Sequence, residues 1–158
     1  MDQNDQLRQQ LVKILDWEDA HAGLNTALKD IPPEIRGVQP DGLPYSLWQL
    51  LEHIRICQRD ILDFSRDPNY REMKFEEYWP ATVAPPTEQA WDDSIASFRA
   101  DLESLKQLAL DKDIDLFAKI PHGTGQTYLR ELLLVVDHNA YHLGQLVAVR
   151  RLLGNWKS

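Results

Sequence analysis

The sequence predicts an all-α protein, a four-helix bundle. Three observations carry that prediction. Apolar residues recur at three- and four-residue spacings over four long segments. Breaks rich in proline and glycine separate those segments. No segment alternates apolar and polar residues as a half-buried strand would, and no internal repeat is visible.

The first helix is predicted from about Asp5 to Leu28, with Leu7, Leu11, Ile14, Leu15, Leu24 and Leu28 on its apolar side. "IPPEIRGVQPDGLP" ends it, because Pro32, Pro33, Pro40 and Pro44 cannot sit inside a helix. Ser46 opens the second helix as an N-cap, with Gln49 at the capping-box position. That helix reads "SLWQLLEHIRICQRDILDFS" and stops before Asp67-Pro68. A long irregular segment follows, punctuated by Pro68, Pro80, Pro85 and Pro86. Its aromatics Tyr70, Phe75, Tyr78 and Trp79 are expected to pack on the body, and the stretch from Arg66 to Gln89 to wall a pocket. Thr87 caps a third helix to about Leu110, with Trp91, Ile95, Phe98, Leu102, Leu105 and Leu108 or Ala109 as its stripe. After "PHGTGQ", Thr127 caps the last helix, which runs to about Leu153 and stops at Gly154. That helix is apolar almost all round and is expected at the centre.

At 158 residues, one domain over 1–158 would bury roughly 70% of the unfolded chain's surface. Hydrophobic residues at 43% and charged residues at 27% fit a soluble globular chain. No apolar run approaches the ~18 residues of a membrane span. The opening "MDQNDQLRQQ" lacks the basic start and apolar stretch of a signal peptide, so the cytoplasm is the expected compartment. Seventeen Lys+Arg against 25 Asp+Glu give a net charge of −8, the wrong sign for neutralising phosphates, and nucleic acid is not an expected partner. The single cysteine, Cys57, excludes an intramolecular disulfide and a CxxC metal knuckle.

"DHNAYHLGQL" places His138 and His142 four apart in an apolar helix. Positions four apart lie on one helix face, so the pair can offer two nitrogens to one ion; the spacing serves a polar patch equally well. Burial weighs against the patch, because imidazoles in an apolar helix must find partners. His53 is the best third ligand, since it lies among Leu50, Leu51, Ile54 and Ile56 and faces inward. Three nitrogens from two facing helices, with a fourth position open, form a catalytic pattern rather than a closed structural one.

On "WQLLEHI", "DHNAYHLGQL" and the order and lengths of the helices, the chain resembles the DinB/YfiT-like metalloenzymes. "GLPYSLWQLLEH", "YWP" and "PHGTGQT" extend the resemblance over most of the chain. It implies an up-down-down-up bundle and a divalent metal on His53, His138 and His142; three imidazoles accept zinc or nickel foremost, with iron or manganese as alternatives. It further implies a metal-dependent, thiol-dependent S-transferase or hydrolase acting on a small electrophile, in stress or detoxification. The expected partners are a small-molecule substrate, a low-molecular-weight thiol such as mycothiol or bacillithiol, and a second copy of the chain in a homodimer. Many relatives have no known activity, so the alternative is a non-catalytic metal-binding or interaction protein. The family name refers to DNA-damage induction, which concerns expression and implies no DNA binding.

Other residues have two readings each. Glu131, seven before His138, is a candidate general base or an exposed first-turn acid favoured by the helix dipole. Asp137 either holds a histidine from behind or is solvated. Gln145 is placed to line the site. Cys57, four after His53, is a thiolate ligand or an ordinary small core residue. His21 and His122 reach the mouth of the site or lie on the surface. Tyr141, Trp48, Trp79 and Trp91 are packing or pocket wall.

Overall fold

Each long helix begins where a side-chain oxygen takes up amides that have no partner within the helix. The computed structural model describes residues 2–16 and 18–156. Asp2 caps α1, Gln3–Leu15, by accepting from the Asp5 amide at 2.7 Å. A short helix, α2, spans Leu24–Leu28. Ser46 and Gln49 form a complete capping box at the head of α3, Leu47–Arg66. Thr87 caps α4, Glu88–Leu110, and Thr127 caps α5, Tyr128–Leu152. Single 3-10 turns lie at Pro33–Ile35 and Phe75–Tyr78. Among the described residues there is no strand, only an isolated bridge between Lys119 and Thr127. None of their helices is long and apolar enough to cross a membrane.

The first predicted helix is corrected: it is two pieces, α1 and α2. Residue 17, inside the predicted span, lies outside the described residues. The chain folds back before α2, where a Cβ on Gly23 would lie 2.3 Å from the Glu18 side chain. Glu18 also accepts from Thr26 at 3.3 Å.

Helix α3 packs on both α4 and α5, and α1 closes the bundle against the same two. The apolar interior has two parts. One gathers Leu47, Leu50 and Leu51 of α3 with Leu143, Leu146 and Val149 of α5, under Trp91 and α2. The other gathers Ile61 and Leu62 with Leu132 and Val135, against Leu105, Leu108 and Leu11. The start of α3 therefore meets the end of α5, and the two run antiparallel. Each fully buried Leu or Ile contributes roughly 1.5–3 kcal/mol. Between the two cores, at the middle of α3 and α5, lies a polar layer. In it Asn139 donates to Gln58 Oε1 at 2.9 Å and Gln58 donates to the Phe98 carbonyl at 2.8 Å, tying three helices together.

Candidate metal centre

The caps at Ser46 and Thr127 set where α3 and α5 start. Antiparallel packing then brings the second turn of α3 to the middle of α5. His53, His138 and His142 meet there, in the polar layer. His53 and His142 are buried and His138 is half-buried. His53 Nε2 lies 3.1 Å from His142 Nε2 and 3.2 Å from His138 Nε2.

The opposite ring nitrogens are held from outside the cluster. His53 Nδ1 donates to the Tyr78 carbonyl at 2.7 Å. His142 Nδ1 donates to Gln145 Oε1 at 2.7 Å. His138 Nδ1 is buried without a hydrogen-bond partner among the described residues. Burial lowers the pKa of all three imidazoles. For His138, burial first and then His142 and His53 bring it to about 4. At neutral pH the rings are neutral, the form that binds metals.

Trp79 lies flat on His53, with ring centroids 3.9 Å apart and planes at 4°. Tyr45 stacks on the far side of that contact, 5.3 Å from Trp79. The irregular segment thus reaches the cluster by direct contact. Tyr70 and Tyr78 pack inward as expected, whereas Phe75 is 85% exposed and does not. A cavity of about 660 Å³ lies elsewhere, between residues 14–16 and 18–25, α4 and α5, and none of the three histidines lines it.

His53, Cys57 and His138 each offer a ligand atom within 4.8 Å of one another and can hold a metal ion. The sulfur is 3.6 Å from His53 Nδ1 and 3.8 Å from Nε2. Near-equal distances to both nitrogens put it on neither lone-pair axis, because an atom on the Nε2 axis would lie about 2 Å farther from Nδ1 than from Nε2. Burial, reinforced by Asp60, pushes the Cys57 thiol up to about 12. On geometry, His142 sits better opposite His53 than Cys57 does.

Glu131, His21 and His122 lie apart from the cluster. Glu131 is not an exposed acid: it is 2% exposed and paired with Arg130 at 2.7 Å. Seven residues of helix, ~10 Å, separate it from His138. Asp137 is exposed and holds no ring nitrogen among the described contacts. His122 donates to the Phe64 carbonyl at 2.7 Å, and His21 is exposed beside the cavity. Tyr141 is 65% exposed but meets His142 edge-on, 4.9 Å between centroids.

Two participants escape the sequence reading. The Tyr78 carbonyl is a backbone group and carries no residue-type signal. Asp60 accepts from Tyr70 at 2.9 Å and from Tyr78 at 3.0 Å, and burial raises its pKa. Its position seven after His53, on one helix face, was the available signal.

The family model of the DinB superfamily matches residues 16–146, a span holding the three histidines, Cys57 and Asp60. Among curated proteins and among solved structures, nothing matches the chain.

Proposed function

The chain belongs to the DinB superfamily, and on that premise we propose that it is a metal-dependent enzyme whose divalent ion is held by His53, His138 and His142. One observation carries the reading. A carbonyl only accepts, so the proton of His53 sits on Nδ1 and its Nε2 is a bare lone pair. Gln145 Oε1 fixes His142 in the same way. The two bare nitrogens face each other at 3.1 Å. His138 has one proton to give, and its Nε2 reaches His53 at 3.2 Å. Hydrogen bonding alone therefore leaves a lone pair against a lone pair in a buried layer, which is repulsive. A shared cation removes the conflict. Two nitrogens bound tetrahedrally at ~2.0–2.1 Å sit about 3.3 Å apart, close to the spacings of 3.1 and 3.2 Å.

Three imidazoles suit zinc and nickel, then iron; manganese favours oxygen ligands. A divalent ion held there supplies a Lewis acid that lowers the pKa of a water or a thiol at its open position. The chain does the rest: burial keeps the ligand nitrogens unprotonated, Tyr78 and Gln145 orient two rings, and Trp79 keeps water off one face of His53. The reaction class that fits is transfer of a low-molecular-weight thiol to a small electrophile, or hydrolysis of one. The second reading, a non-catalytic metal binder, draws its support from Trp79, which covers one face of His53. Exposed Leu133, Tyr141 and Leu152 on α5 support the homodimer.

The test is elemental analysis of purified protein, followed by a screen of thiols with electrophiles and of hydrolysable esters. We expect about one ion per chain and turnover that depends on it. Bound metal without turnover would favour the binder. No metal after loading with zinc or nickel would sink both readings.

A further inference from the structure

We propose that Asp60 is a positioning residue for the histidine cluster, acting on His53 through Tyr78. The irregular segment between α3 and α4 has no ladder of backbone bonds to fix it, and its one regular piece is the turn Phe75–Tyr78. Anchors must come from α3. Asp60 supplies two, accepting from Tyr70 with Oδ1 at 2.9 Å and from Tyr78 with Oδ2 at 3.0 Å. Two turns earlier on the same face, His53 donates to the Tyr78 carbonyl at 2.7 Å. One loop residue is therefore gripped at both ends by one helix. The rigid phenol ring is the spacer between Asp60 and the carbonyl. The next residue, Trp79, is laid on His53.

If the phenol end is cut, the carbonyl loses its fixed distance from His53. Nδ1–H then has no assured acceptor in a buried layer, and the proton can move to Nε2. That tautomer has no lone pair to offer towards His142. The segment does not detach, because Ser46 Oγ still donates to the Val83 carbonyl at 2.5 Å and Trp48 Nε1 to Thr82 at 3.1 Å. The defect is local: one ring loses its tautomer and orientation.

The proposal deepens the metal-site reading and rests on it for the effect on affinity, but not for the tautomer. Two measurements test it on Asp60→Ala, Tyr78→Phe, the double variant and, as control, Asp63→Ala, an acid of the same helix that pairs with Arg59 and bonds neither tyrosine. Nitrogen-15 spectra of the metal-free protein report which His53 nitrogen carries the proton. Competition with a chromophoric chelator gives zinc affinity. We expect wild type and Asp63→Ala to show protonated Nδ1. Asp60→Ala and Tyr78→Phe should show mixed tautomers and bind zinc about 10–100-fold more weakly. The double variant should bind no more weakly than Asp60→Ala, because both act on one path. Retention of the Nδ1-protonated signature in both single variants would overturn the proposal, as would unchanged zinc affinity. If wild type binds no zinc, the metal reading fails instead, and the tautomer comparison alone decides the role of Asp60.

Discussion

His53 and His142 turn bare Nε2 atoms towards each other at 3.1 Å across the α3–α5 interface, while both Nδ1 atoms are already committed. The pair stands between two apolar cores that leucine side chains could join into one. A polar layer with an unmet conflict at its centre stabilises nothing by itself. Local rules broken in this way mark function.

Replacement of His53, His138 or His142 by Ala should reduce bound metal to a small fraction of the wild-type content. The helical circular dichroism should persist, because neither apolar core includes these rings. Cys57→Ser should keep its metal, since the sulfur lies off the lone-pair axis of His53 Nε2. Elemental analysis reads both; a full complement in all three histidine variants would rule out the ligand set.

The helices from α3 onward were legible because Ser46, Thr87 and Thr127 are N-caps followed at once by apolar stripes. The sequence overextends the first helix because Leu24 and Leu28, four apart, resemble further turns of the Leu11–Leu15 stripe, although nine residues of continuous helix would put Leu24 on the face opposite Leu15. The polar run between them, Glu18 to Gly23, carries no apolar stripe, and Gly23 permits the close approach to Glu18. The histidines could be read from spacing. The Tyr78 carbonyl could not, because irregular backbone finds its position only through tertiary contacts. Glu131 was misjudged because the first-turn rule speaks of charge and not of burial.

Arg8 should prove a stability residue independent of the site. Only 3% exposed, it donates to the carbonyls of Ala109, Asp111 and Ile114 at 2.9, 2.7 and 2.6 Å. These lie at and just beyond the end of α4, where carbonyls lack partners within the helix. Arg8→Met strands them and should lower stability by about 2–4 kcal/mol. Urea denaturation measures this, with metal content per folded molecule unchanged. A loss below about 0.5 kcal/mol, the usual surface range, would refute it.

Acid should destabilise the metal-free protein through His138. Burial, then His142 and His53, hold its pKa at about 4 in the folded chain, against an ordinary 6.5. Between these values the unfolded chain binds more protons than the folded one. The contribution is fully present above about pH 6.5, falls as pH drops through the window, and levels off below about 4. Its full size is at most about 3 kcal/mol. His53 and His142 shift in the same direction. Melting curves from pH 7 to 4 should show a steeper decline in wild type than in His138→Gln; equal slopes would mean that His138 is not held neutral.

The open coordination position separates enzyme from binder, and cobalt makes it visible. Three imidazoles leave a tetrahedral ion one ligand short. Cys57 is poorly placed to fill the gap: its sulfur is nearly equidistant from both His53 nitrogens, and burial pushes its thiol up to about 12. The cobalt-loaded protein should therefore show no thiolate-to-cobalt charge-transfer band in the near ultraviolet as prepared. Adding a low-molecular-weight thiol should produce one. The band should survive Cys57→Ser and vanish in His142→Ala. A band before any thiol is added, removed by Cys57→Ser, would make Cys57 the fourth ligand and favour a closed metal binder. No band with or without thiol, in protein verified to hold cobalt, would eliminate thiol transfer and leave hydrolysis or a non-catalytic role.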